Sequence, residues 1–224
     1  MRAFAAGDLW FLVWSARWTV ILSLTAFVGG GFMGLVLALL RTAPSKPVRL
    51  GAAGWIAVFQ GTPLVMQLFL VFFGTTLFGL RVDPWSAAAI ALALNAGAFL
   101  GEIWRSAIET IPPGQWEAGR ALGLHYGAIM ARIVLPQSAR IAIPPTVGFM
   151  VQLVKSTSLA SFIGFTELTR AGQIVNNATF DPFLVFGLVG GIYFMLCWPL
   201  SLAAARMEAG LAASLSRKPT KGKR

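Results

Sequence analysis

Glu117-Ala118-Gly119-Arg120-Ala121-Leu122-Gly123-Leu124-His125-Tyr126-Gly127-Ala128-Ile129-Met130-Ala131-Arg132-Ile133-Val134-Leu135-Pro136 is the longest interruption in an otherwise apolar chain. It is too polar to cross a bilayer and too patterned for a slack loop. Gly123 marks a helix end, because glycine supplies the left-handed residue that follows a last turn. Pro136 stops a second helix, since proline cannot continue one. Pro112 and Pro113 stand at the opposite border, where a missing N–H costs little. The spacing predicts a helix over 115–122, a turn at Gly123 and a second helix ended by Pro136. Such a compact helix–turn–helix, held between two spans, is shaped to be gripped from the water side. His125 reads as a solvated turn residue rather than a ligand or base.

Working outward, the 224 residues are 57% hydrophobic and only 12% charged. Soluble domains carry about 25% charged residues, so the length is better counted in membrane spans than in soluble domains. The net charge of +10 does not indicate nucleic acid, because the basic residues flank apolar segments and form no basic face interleaved with aromatics. The single cysteine, Cys197, cannot form an internal disulfide and lies in an apolar run as a core residue. One histidine and one cysteine leave no ordinary zinc cluster, and nothing calls for a cofactor.

The apolar segments predict an all-α membrane protein of one domain over 1–213, with spans at about 18–40, 50–73, 85–104, 141–165 and 182–205 and a loop over 112–136. Residues 1–17 lack the pattern of a signal peptide. Trp10, Trp14 and Trp18 recur every fourth residue, which places them on one helix face at a membrane boundary. Two readings fit: a short interfacial helix lying on the bilayer, or an extension of the first span. Gly30 and Gly34 form a small-residue pair that lets another backbone come close, as in helix packing within an oligomer. Gly61, Thr62 and Pro63 interrupt the second span, where a proline bends the helix and protein or a wet cavity must re-satisfy it. The bend either lines a substrate path or serves packing.

Trp85 and Trp104 bracket the third span, and Asn95 and Glu102 lie on similar faces of it. Ionisable groups near a span are functional candidates. Glu102, Arg105 and Glu109 also have the spacing of an ion-pair ladder, and that reading is favoured for Glu102. Asn95 lies deeper, as a polar contact in a pathway or between helices. Lys155, Ser156, Thr157 and Ser158 fall near the middle of the fourth span, where a lysine is costly unless paired, hydrated or facing a cavity. They are the best pore-facing or gating candidates; packing against a neighbouring helix is the alternative. Residues 167–181 are polar, read as an outside segment, and suit a docking surface. Residues 214–224 form a basic tail, expected to be disordered and to face anionic lipid.

Several blocks carry a family resemblance. They are Gly61-Thr62-Pro63-Leu64, Gly101-Glu102-Ile103, Gly114-Gln115-Trp116-Glu117-Ala118, Leu135-Pro136-Gln137 and Lys155-Ser156-Thr157-Ser158-Leu159. With Glu117-Ala118-Gly119, Gly123 and Ile133-Val134-Leu135-Pro136, they resemble the polar amino-acid uptake permeases of ABC importers, over roughly Trp14 to Leu211. The resemblance implies a type I (MetI-like) permease of five spans. It makes 112–136 a cytoplasmic coupling loop, in which Glu117, Ala118, Gly119, Ala121, Leu122 and Gly123 meet an ATPase. It also implies three partners: a cytoplasmic ABC ATPase dimer, a second permease chain and a periplasmic amino-acid-binding protein. Two positions depart from the family pattern. Gln60 stands where arginine is usual, and Ser156 where aspartate is common.

Orientation follows separately from the charges. Thirteen of the 18 basic residues fall on the side of the 112–136 loop and the C-terminus, and four on the other; Lys155 is within the membrane. The positive-inside rule places that loop and the C-terminus in the cytoplasm and the N-terminus outside. The chain has no Gly-x-x-x-x-Gly-Lys-Ser/Thr phosphate loop, so it is expected to be a transport subunit of a bacterial inner membrane rather than an enzyme. An ion-coupled secondary transporter or channel is the alternative, but it would usually show inverted repeats with matching broken helices.

Overall fold

The computed structural model describes residues 2–216, and all regular structure among them is helical. Helix α1 spans Ala6–Arg41 without interruption. Residues 8–28 contain neither glycine nor proline, so nothing breaks the helix between the tryptophan face and the apolar run. A separate interfacial helix is therefore corrected to an extension of the first span. Arg17 lies 3.7 Å over the Trp14 ring, and Trp18 packs edge-on against Trp85 and Phe165.

Helix α4 (Pro84–Glu109) begins at Asp83, whose carboxylate accepts the Ser86 N–H at 3.0 Å. This N-cap leaves fewer orphan amides in the first turn. Helix α4 packs along α1 through glycines on both helices. A Cβ on Gly30 would lie 2.6 Å from the Ala96 Cβ, and one on Gly34 would lie 2.9 Å from the Leu100 Cβ. On the opposite side, a Cβ on Gly101 would lie 3.0 Å from the Leu37 Cβ. The small-residue pair expected to serve an oligomer thus works inside the chain. Within lipid, helices gain little from hiding apolar surface, so close backbone packing carries the association.

Helices α2 (Lys46–Gly61) and α3 (Leu64–Leu77) meet at 99°. Thr62 and Pro63 separate them, so the expected bend is a full break. Helix α5 (Pro113–Ala121) leads through Gly123 to the single turn α6 (Tyr126–Ile129). A π-helical turn, Met130–Val134, continues directly into α7 (Leu135–Ser156). Pro136 does not end this helix. It sits in the first turn of α7, and the wider π turn absorbs the hydrogen bond that Pro136 cannot donate.

Beyond Ser156 the helix tightens into a 3-10 segment, Thr157–Ile163, closed by the left-handed Gly164. Lys155 is therefore in the last turn of α7, not midway along a uniform helix. Helix α8 (Leu168–Thr179) and the long α9 (Pro182–Ser216) complete the fold. The first three residues of the predicted tail belong to α9; residues 217–224 lie outside the described residues.

Among the described residues, four helical runs are long and apolar enough to cross a membrane: Ala6–Arg41, Pro84–Glu109, Tyr126–Ile163 and Pro182–Ala213. The α2–α3 pair makes a fifth if taken as one broken span. Each run is longer than the span expected from hydropathy, although Tyr126–Ile163 gains only at its start and ends before residue 165, and Pro182–Ala213 gains only at its end. The central core gathers Leu22, Ala26, Leu68, Ala91, Leu92, Leu153 and Ile163 from five elements.

The glycine seam makes a direct prediction. Gly30→Ala forces a methyl into the α1–α4 contact and should cost about 1–3 kcal/mol, read as a lower thermal midpoint in detergent. Gly31→Ala, whose Cβ would meet nothing nearer than Trp104 at 3.8 Å, should leave the midpoint unchanged or raise it.

Candidate functional site

The helix–turn–helix insertion is built by three local devices. Gln115 N–H bonds the Pro112 carbonyl at 3.0 Å as α5 begins. At its end Gly123 N–H bonds Arg120 O at 2.9 Å and Leu124 N–H bonds Gly119 O at 3.1 Å. This pair is a Schellman cap, which requires the left-handed Gly123, φ +74°. His125 then caps the next turn, its Nδ1 accepting the Ala128 N–H at 3.3 Å.

Two contacts hold the insertion against the bundle. Gly119 is buried, and a Cβ there would lie 2.8 Å from Ile129 Cγ1, so α5 lies directly on the following turn. The Trp116 and Tyr126 rings stack at 5.7 Å, and the Tyr126 hydroxyl donates to the Thr42 carbonyl at 2.7 Å. The insertion is thereby fastened to the end of α1. Its outer edge is open: Glu117, Ala118, Ala121, Leu122 and Gly123 are all exposed, Leu122 at 77%. A cleft of about 440 Å³ lies beside it, lined by Arg41, Arg49, Arg120, Glu109 and Glu117 among others. Among the described residues no ion pair involves Glu117 or Arg120.

The polar positions inside the bundle fall into separate places. Thr62 and Asn95 meet at the α2–α3 break, joined by Gln67. The Gln67 amide donates to Phe59 O at 2.8 Å and to Thr62 O at 3.1 Å. Asn95 Nδ2 donates to Gln67 Oε1 at 3.2 Å and to Phe59 O at 3.3 Å. These side chains replace hydrogen bonds that the break removes from the backbone. Gln60 reaches across to the Ala98 carbonyl at 3.3 Å. Gln67 is absent from the candidates read from sequence, although it is a lone amide in the apolar run 64–73.

Glu102 belongs to the ion-pair ladder. Arg105 Nε donates to its carboxylate at 3.0 Å, Arg105 also pairs with Glu109, and Arg41 approaches Glu102 at 4.0 Å. Lys155 is elsewhere, exposed beside a hollow of about 350 Å³ shared with Gln152, Ser156, Ser158 and Leu159. Among the described residues no carboxylate pairs with it. The neighbouring hydroxyls serve the helix end: Thr157 donates to Val154 O and Ser158 to Lys155 O. No described hydrogen bond or ion pair joins Asn95, Glu102 and Lys155 to one another. Gly61 contributes no side chain and stands exposed at the break.

One buried group escapes the sequence reading altogether. Glu167, the N-cap of α8, is 0% exposed and accepts the Thr169 and Arg170 N–H groups at 2.9 Å each. Burial pushes its carboxyl above the usual carboxylate range, while hydrogen bonds from Thr169, Tyr193, Arg170 and Thr19 oppose the shift.

The chain matches the family model described as the binding-protein-dependent transport system inner membrane component over residues 30–208. It is 35% identical over 212 residues to the L-cystine transport system permease protein TcyB of Bacillus subtilis, covering 90% of this chain and 91% of that protein. The arginine transport system permease protein ArtQ of Bacillus subtilis is also 35% identical, over 81% of this chain and 84% of its own length. Among solved structures, an amino acid ABC transporter crystallised with histidines superposes with a TM-score of 0.83 at 32% identity, covering 89% of this chain and 93% of the other. The inward-facing MetNI methionine ABC transporter shares the fold, with a TM-score of 0.78 at 20% identity over 92% of this chain and 99% of the other. The chain therefore belongs to the binding-protein-dependent transport system inner membrane component family, as a permease of the amino-acid ABC transporters.

Proposed function

We propose that this chain is the membrane-spanning subunit of an importer that moves a polar amino acid across a bacterial inner membrane, driven by a separate ATPase dimer. A second permease chain and a periplasmic binding protein complete the assembly, because five spans enclose a pathway poorly alone. Helix α5 is the coupling helix, and its Glu117–Gly123 edge is the surface the ATPase holds on the cytoplasmic side. The supporting observation is its mounting: an exposed edge fastened to α1 by Tyr126 and pressed onto Ile129 through Gly119. The relatives' names point the same way, since they are permeases for cystine and arginine.

The mechanical route is short. The run Tyr126–Ile163 is one continuous helical rod of 38 residues. At 1.5 Å per residue or somewhat more it reaches roughly 57 Å, enough to cross the bilayer. It starts against the coupling helix and carries Lys155 near its far end. Closure of the ATPase dimer on ATP displaces α5, the rod tilts, and the Lys155–Ser158 segment changes its access from one side to the other. For this to work nucleotide must bind one permease conformation more tightly than the other. In this reading Lys155, with Ser156, Thr157 and Ser158 around it, presents an ammonium to the substrate's carboxylate. Thr62 and Asn95 steady the broken second span beside the pathway, and Glu102 stabilises the α4 end through its arginines.

The deciding experiment is purification of the tagged chain from native membranes, followed by reconstitution with whatever ATPase accompanies it. An ATPase subunit should co-purify, and uptake should require ATP; recovery of the chain without one would overturn the reading. Glu117→Ala with Gly123→Ala should lower uptake at least tenfold while membrane insertion stays normal. Gly119→Val should weaken ATPase retention, whereas Gly114→Ala, whose Cβ meets nothing within 4 Å, should not. Lys155→Ala should lower uptake at least tenfold with basal ATP hydrolysis intact, and Lys155→Arg should recover part of it.

A further inference from the structure

The carboxylate of Glu167 joins α1, the start of α8 and α9 at one buried point. Oε1 accepts the Arg170 N–H at 2.9 Å. Oε2 accepts the Thr169 N–H at 2.9 Å, the Tyr193 hydroxyl of α9 at 2.8 Å and the Thr19 hydroxyl of α1 at 3.4 Å. Thr19 in turn accepts the Leu168 N–H at 3.3 Å. The Tyr193 oxygen is also 3.0 Å from Thr169 Oγ1, and Tyr193 packs against the buried cluster of Val151, Val154 and Cys197, where Val154 O accepts the Thr157 hydroxyl. Thr157 is fully buried and opens the 3-10 segment directly after Lys155 and Ser156.

Capping alone does not explain a glutamate here. Serine, threonine or aspartate would satisfy the Thr169 and Arg170 amides, and these are the residues that helix starts favour. A buried carboxylate with no cation beside it is costly. Among the described residues no ion pair includes Glu167. What the longer side chain adds is reach, to Tyr193 and Thr19. Helix α8 is otherwise held close to α9, since a Cβ on Gly172 would lie 2.7 Å from Val189.

We infer that Glu167 and Tyr193 are positioning residues that tie α8, on the side where a binding protein docks, to the Lys155–Ser158 segment of the pathway. The inference rests on the importer reading above. A load on α8 reaches Tyr193 through the carboxylate, and Tyr193 bears on Val151 and Val154 at the end of α7, where Val154 O accepts the Thr157 hydroxyl. The device is the outer counterpart of the coupling helix: one reports nucleotide from below, the other reports a docked partner from above. Thr19 keeps α1 in register with both.

The test uses the intact complex in nanodiscs, with the co-purifying ATPase. The cognate binding protein is saturated with whichever of cystine, glutamine or arginine shifts its melting most. Tyr193→Phe removes one hydroxyl and Glu167→Gln replaces one acceptor by a donor. Each should cut binding-protein-stimulated ATP hydrolysis at least fivefold while basal hydrolysis and ATPase retention stay within twofold of wild type. The double variant should be no worse than the weaker single one, because both break the same link. Stimulation within twofold of wild type in Tyr193→Phe would overturn the inference, as would an equal fall in basal and stimulated rates. If Glu167→Gln fails to insert, Tyr193→Phe decides alone. Absence of any co-purifying ATPase would instead refute the importer reading itself.

Discussion

The close approach of α1 and α4 is the constraint on which the rest of the architecture depends. Gly30 and Gly34 face Ala96, Gly97 and Leu100 at separations that leave no room for a methyl group. In lipid there is little to gain from burying one apolar surface against another, so helices associate through packing, hydrogen bonds and the freedom of displaced lipid. A seam without side chains brings two backbones together and fixes the two longest early helices as one body. The end of α1 then offers Thr42 O to Tyr126, and the end of α4 leads straight into α5. Both supports of the insertion are thus anchored in the same seam.

Around this body the polar groups are spent where the backbone needs them. Gln67 and Asn95 close the α2–α3 break, and Glu102 and Arg105 pair at the end of α4. Ser158 and Thr157 stabilise the change from α-helix to 3-10. Lys155 differs, as an exposed ammonium beside a hollow with no carboxylate paired to it among the described residues. The contrast between satisfied and unsatisfied polar groups is what separates scaffold from pathway in this reading.

Much of this was legible from residue order because local chemistry decided it. Gly123 stops α5 through its own positive φ, and the Glu102–Arg105–Glu109 spacing forms its ladder on one helix face. Expectations went astray where tertiary contacts decide. Pro136 reads as a stop, but a π turn before it lets the helix run on. Gly30 and Gly34 pack within the chain, and only the fold reveals which backbone they meet. Gly119 stands in the sequence only as one of the ATPase-facing residues, yet it is buried and its place against Ile129 makes it a contact point within the chain. Glu167 could not be found by pattern, since Thr19 and Tyr193 are distant in the chain and their polarity is unremarkable for membrane helices.

The central claim is that α5 is a wedge on the cell interior, gripped by an ATPase. Its most direct test is side-specific labelling of a cysteine at Gln115 in a Cys197→Ser background, using a membrane-impermeant maleimide. Labelling is predicted in inside-out vesicles stripped of the ATPase, with protection when the ATPase is restored and none from the outer face of intact spheroplasts. Labelling from the outer face, or equal labelling with and without the ATPase, would contradict the account.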